Sequence, residues 1–168
     1  PTDNSRAVPE KNGQGRMFKD SVFGLSEAAR EKRDSLDLRI EKMKSIISES
    51  PDDHFVIWHD LEVERHSIRR ALPEVTQVFG TQKLEEREQN VMDFADGKIK
   101  YLATKPTLNG SGCNLQRFCH RAIFLGIGFK FADFIQACHR IQRFLQNHSV
   151  VIDLIFTEAE HGVKQILK

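Results

Sequence analysis

A chain of 168 residues can bury a full single-domain core and still carry a helical appendage. Its 39% apolar and 29% charged residues are an ordinary soluble balance, and no apolar run approaches membrane-spanning length. The net charge of +1 supplies no global attraction for nucleic acid, so any phosphate-binding surface has to be local.

Residues 1–20 carry Pro1, Pro9, Gly13 and Gly15 among polar groups, with almost no apolar periodicity, and read as a disordered tail or linker. They hold no apolar signal-peptide core, so a cytoplasmic protein is expected. Residues 21–50 read as a helical lead-in. Leu36, Ile40, Met43 and Ile47 fall at offsets of four, three and four, which is one apolar stripe on a helix. Ser26 or Ser35 could cap that helix, and Pro51 closes it.

After Pro51 the pattern changes, and residues 51–168 read as one α/β domain. Strands are predicted over 55–58, 75–79, 99–103, 122–125 and 150–156. Helices are predicted over 61–72, 83–95, 132–145 and 158–167, with Pro73, Gly80 and Asp96-Gly97 as punctuation. Strands alternating with helices through short loops predict a parallel sheet with helices on both faces. Such sheets take ligands outside the carboxyl ends of their strands, so the loops after Trp58, Ala103 and Leu125 become the places to look.

Two segments carry chemistry. The run from Gln136 to Gln146 spaces Gln136, Arg140 and Arg143 by four and three, which predicts one helical face. Two guanidiniums one turn apart suit phosphate oxygens, although a solvated basic face has the same spacing. The loop from Thr104 to Gln116 sets Gly110 and Gly112 among Thr104, Lys105 and Ser111. Its backbone can approach an anion closely, or simply turn. No GxxxxGK[ST] cradle is present, and no acidic pair stands where it would hold magnesium. Arg65, Arg69 and Arg70 either extend a basic track or form a solvated helix face. Trp58 either stacks on a base or fills the core. The thiols of Cys113, Cys119 and Cys138 lack CxxC spacing and read as small buried groups in a reducing compartment rather than as disulfides or zinc ligands.

These motifs, in this order, resemble the second RecA-like domain of superfamily-two helicases, above all the Swi/Snf-type translocase branch in its bacterial and phage form. Phe55-Val-Ile-Trp58 resembles the fourth motif. Residues 82–94, with Arg87 and Phe94, resemble the stretch that follows it. Leu102-Ala-Thr104-Lys105, then Gly112-Cys-Asn114-Leu115, resembles the fifth motif with two extra residues inside. Gln136, Arg140, Arg143 and Gln146 match the sixth motif "QAxDRAHRIGQ" without a gap. His139 replaces its acidic residue, and Gln142-Arg-Phe-Leu145 stands where it has "HRIG". Phe129-Lys-Phe131 replaces the "WNP" triplet, and Thr157-Glu158, Glu160 and Ile166-Leu167 resemble the closing helix.

The resemblance implies a RecA-like fold and a site shared between two domains. An N-terminal RecA-like domain of the parent chain would hold ATP and its magnesium. Arg140 and Arg143 would act as arginine fingers, with Gln136, Gly112 and Asn114 placing the nucleotide. Thr104, Lys105 and Ser111 would grip nucleic-acid phosphates, with DNA the partner implied and RNA left open. The fragment alone is expected to be inactive as an ATP hydrolase. The alternative is a nucleic-acid-binding or docking module that keeps the fold without ATP chemistry.

Overall fold

The computed structural model describes residues 34–108, 113–126 and 129–157. The expected helix over 158–167, together with Gly110, Ser111, Gly112 and Gly128, lies outside them. The chain order is helix α1 (Leu36–Glu49), strand β1 (His54–Trp58), helix α2 (Glu62–Ala71), strand β2 (Thr76–Val78), helix α3 (Leu84–Ala95), strands β3 (Tyr101–Thr104) and β4 (Cys119–Leu125), helix α4 (Phe131–Cys138) and strand β5 (Val151–Ile155).

The five strands form one parallel sheet in the order β2-β3-β1-β4-β5. Side chains alternate across it with the two-residue period of a strand. Phe55, Ile57, Tyr101, Ala103, Ile123 and Leu125 face Met43, Ile46 and Ile47 of α1 and Ile68 of α2. Val56, Trp58, Leu102, Ala122 and Phe124 face Val91 and Phe94 of α3 and Ala137 and Cys138 of α4. Both faces are therefore covered, and the central strands read as apolar runs because each of their sides is interior. Trp58 is fully buried, with its ring 6.2 Å from that of Phe124, so it belongs to the core and not to an exposed stacking platform.

Helix α1 packs on the domain as one of its layers. Ser35 occupies the N-cap position, but its hydroxyl accepts a hydrogen bond from Arg39 Nε at 3.2 Å instead of capping the backbone. Helix α3 ends as predicted: Gly97 at φ +77° closes it, the Gly97 N–H donates to the Phe94 carbonyl and the Lys98 N–H to that of Asp93.

The prediction for 132–145 needs a correction. Helix α4 stops at Cys138, before either arginine. The N–H groups of Arg140 and Ile141 bond three residues back, to Ala137 and Cys138, which tightens the last turn. The Arg140 carbonyl then accepts from the Leu115 N–H at 3.0 Å, and the Ile141 carbonyl accepts from the Gln146 side chain at 3.0 Å. Carbonyls committed to tertiary partners cannot continue a helical ladder, so Gln136, Arg140 and Arg143 do not share a helix face.

Candidate functional site

The predicted residues separate into two clusters at opposite ends of the sheet. One cluster lies at the amino end of β4. The segment before that strand is clipped to the segment after α4 by Leu115 N–H on the Arg140 carbonyl, and by Gln146 Nε2 on the carbonyls of Cys119 and Ile141, both at 3.0 Å. This clip brings Asn114 and Arg143 together: Arg143 Nη1 donates to Asn114 Oδ1. Arg143 is exposed, and no carboxylate among the described residues pairs with it. Arg140 lies beneath it with 8% exposure. Burial pushes its guanidinium below the ordinary range, the nearby Cys113 partly offsets this, and Arg143 adds to it.

The tip between these anchors, Arg143-Phe144-Leu145, projects outward, with Leu145 at φ 72°. Beside it opens a cleft of about 660 Å³, lined by Met92, Ala95, Cys113, Asn114, Arg117 and Leu145 among others. Gln136 is exposed on α4, and no bond joins it to Asn114 or Arg143. The Asn114 carboxamide and the Arg143 guanidinium at one exposed rim, with the Arg140 guanidinium buried beneath them, form a donor set whose chemistry suits phosphate oxygens and a ribose hydroxyl. The arginines lie at the amino edge of the sheet, because α4 runs back along β4 before the chain reaches them.

The second cluster is at that carboxyl edge. Thr104 ends β3 and is fully buried, its carbonyl accepting the His59 N–H at 3.2 Å. Lys105, the next residue, is partly exposed, with Nζ 3.3 Å from Glu62 Oε1. Glu62 also accepts from Arg65 Nε at 2.8 Å, and these partners, Arg65 first, hold its carboxyl below the usual range. His59 is fully buried, and neither ring nitrogen has a hydrogen-bond partner. Burial pushes its pKa down to about 4, against the upward pull of Glu64. The imidazole is therefore neutral near pH 7.

Three of the arginines meet partners that the sequence reading did not assign. Arg65 lies 4.2 Å over the Phe79 ring, and Arg69 Nη1 donates to the Val75 carbonyl at 2.6 Å, so both hold the segment around β2 against α2. Arg39 and Glu64 form a buried ion pair at 2.7 Å, with exposures of 2% and 0%. Arg39 Nη1 also donates to the Leu125 carbonyl at 2.8 Å. Glu64 Oε2 accepts the N–H groups of Asp60 and Leu61, each at 2.9 Å, as a third-position glutamate does in a capping box. The signal was present in the sequence. Arg39 falls inside the stripe of Leu36, Ile40 and Met43, and Glu64 inside that of Leu61, Ile68 and Leu72. A charge on an apolar helical stripe calls for a buried partner.

No family profile matches the chain, and no curated protein is similar to it in sequence. Solved structures are similar in fold. The C-terminal part of the Fun30 ATPase domain superposes with a TM-score of 0.67 at 19% identity, over 77% of this chain and 45% of that one. The C-terminal domain of the DEAD-box protein Dbp5 gives 0.63 at 15% identity, over 77% and 76%. A variant of S. cerevisiae Dbp5 bound to a Gle1 variant and IP6 gives 0.60 at 16% identity, over 82% and 36%. The described residues share the α/β, parallel-sheet fold of these C-terminal domains. The chain spans less than half the length of the Fun30 structure.

Proposed function

We propose that this chain is the second motor domain of an ATP-dependent DNA translocase or helicase of the Swi/Snf-type branch. The observation that carries the reading is the junction of Asn114 with Arg143. These residues stand 29 apart in sequence, in two segments that resemble different helicase motifs, and they meet on an exposed rim. Nothing in the packing of the core requires a guanidinium there.

In this reading an N-terminal RecA-like domain of the parent chain binds ATP and magnesium. Bound there, the nucleotide supplies a phosphoryl group whose transfer to water develops charge on its outer oxygens. Arg143, oriented by Asn114, presents its remaining N–H donors to that charge, and Arg140 adds a second guanidinium from the buried side. Guanidiniums so placed are worth about 10³–10⁵ in rate. Gly112 and Gln136 complete the nucleotide contacts. At the other edge Lys105, next to the buried Thr104 and in the same loop segment of the sequence as Ser111, meets the nucleic-acid backbone. Backbone contacts are blind to sequence, as motion along a strand requires.

The test is ATP hydrolysis by the full-length parent with and without DNA. Arg143→Ala should lower kcat by about 10³-fold while ATP binding is retained, since the interaction forms mainly in the transition state. A variant that hydrolyses ATP at the wild-type rate would remove the finger assignment. The isolated 168-residue chain should not hydrolyse ATP measurably, because it contains no phosphate-cradling loop.

A further inference from the structure

The buried pair of Arg39 and Glu64 joins three parts of the molecule that ordinary packing would not need to join through charge. Arg39 belongs to α1. Its partner Glu64 lies in the first turn of α2 and holds the N–H groups of Asp60 and Leu61, in the loop that follows β1. The same Arg39 Nη1 holds the carbonyl of Leu125, the last residue of β4. Strands β1 and β4 are neighbours in the sheet. Their onward connections run in opposite directions, β1 towards β2 and β4 towards β5. That is a topological switch point, where an open parallel sheet forms its ligand crevice. One buried guanidinium, carried by α1, therefore fixes the backbone on both sides of this crevice.

The loop after β1 is tied in turn to Lys105. Glu62, two residues past Asp60, pairs with Lys105 at 3.3 Å. A buried ion pair is an expensive way to gain stability, and apolar residues of the same volume often serve as well or better. What the pair adds is a fixed geometry, since the carboxylate satisfies two backbone donors with one oxygen and the guanidinium with the other.

We propose that α1 is an integral part of the carboxyl-edge site, and that Arg39 and Glu64 are positioning residues for the loop after β1 and, through it, for Lys105. The consequence for nucleic acid rests on the translocase reading above; the consequence for the loop does not. The experiment has two arms, both on the 168-residue chain. Amide hydrogen exchange reads the loop, with the Asp60 and Leu61 N–H groups as probes and the His59 N–H, which bonds within the sheet, as internal control. Anisotropy of a labelled oligo-dT reads the grip.

Arg39→Met leaves the Glu64 carboxylate buried without its cation and is expected to unfold a large part of the population. The informative variant is therefore Arg39→Met with Glu64→Gln. This pair buries no net charge, matches the stem of the arginine, and lets the Gln oxygen still face the loop. It should fold with the wild-type far-ultraviolet spectrum. Its Asp60 and Leu61 amides should exchange at least tenfold faster, as estimated for loss of one buried bond, while His59 stays protected. Oligo-dT affinity should fall about tenfold at low salt by the same loss of order. Arg39→Lys, which keeps the charge but not the fork, should fall between wild type and the double variant on both measures. Unchanged exchange at Asp60 and Leu61 in a folded double variant overturns the proposal, as does equal acceleration at His59, which would mark a general loss of stability. If the wild-type chain binds no oligonucleotide, the translocase reading loses its nucleic-acid edge, and the exchange arm alone decides the role of the pair.

Discussion

At the scale of single residues, two positions carry costs that can be measured. His59 has no exposed surface and no hydrogen-bond partner for its ring. Its pKa in the fold is held near 4, against an ordinary 6.5, by burial, with Lys105 and Arg65 adding to the shift and Glu64 and Glu62 opposing it. Between those two values the unfolded chain binds a proton that the folded chain refuses, so stability falls as the pH is lowered through that window. The loss from this one group is about 2 kcal/mol between about pH 7 and pH 5. Urea denaturation at both pH values should show it, and His59→Gln should flatten that part of the profile. The second position is Gly97, in the left-handed region at φ +77°. A Cβ there would lie 2.9 Å from the Phe118 ring, which itself packs 6.2 Å from His54. Gly97→Ala should cost about 2 kcal/mol, from the backbone conformation and the displaced ring together, read as a lowered denaturation midpoint at unchanged slope.

At the scale of elements, legibility followed the source of the signal. The strands were readable because apolar runs between turn residues are a local signature, and each predicted strand overlaps an observed one. Helices α2 and α3 were readable from period and punctuation, Pro73 and Gly97 above all. The end of α4 was not, because what stops it is tertiary: the Leu115 N–H and the Gln146 side chain claim carbonyls that a helix would use. The same redirection decides Leu145. The resembled motif has glycine there, and the chain turns through φ 72° with leucine in place. A left-handed leucine costs about 1 kcal/mol or more, and this one is 72% exposed, so little burial offsets it. Leu145→Gly should therefore be neutral or stabilise the chain by about 1 kcal/mol, even though glycine loosens the unfolded state. A thermal midpoint that falls by several degrees would mean that the leucine is held by contacts across the cleft beside Asn114, and that the cleft is part of the fold's stability.

At the scale of the whole molecule, a net charge of +1 limits how the proposed translocase domain would hold nucleic acid. No general field gathers phosphates, so binding must depend on a few local cations and be weak in its salt response. For single strands the slope of log affinity against log salt is about −0.7 per phosphate neutralised, so a grip centred on Lys105 predicts a slope between about −1 and −2. The pairing of Lys105 with Glu62 sharpens the expectation. Glu62 is 57% exposed and stays ionised, its carboxyl stabilised first by Arg65 and then by Lys105. A phosphate must compete with that carboxylate for the ammonium group, and the competition is screened because the pair faces water. Glu62→Gln removes the competitor without removing the lysine. It should raise oligo-dT affinity by about threefold at low salt and lose that advantage near physiological ionic strength, while Lys105→Ala should weaken binding and flatten the slope by about 0.7. Opposite signs for these two variants are what an ammonium group in direct contact with the strand requires. A Glu62→Gln chain that binds more weakly would instead make the carboxylate a necessary orienter of Lys105, and would move the phosphate contact away from this lysine.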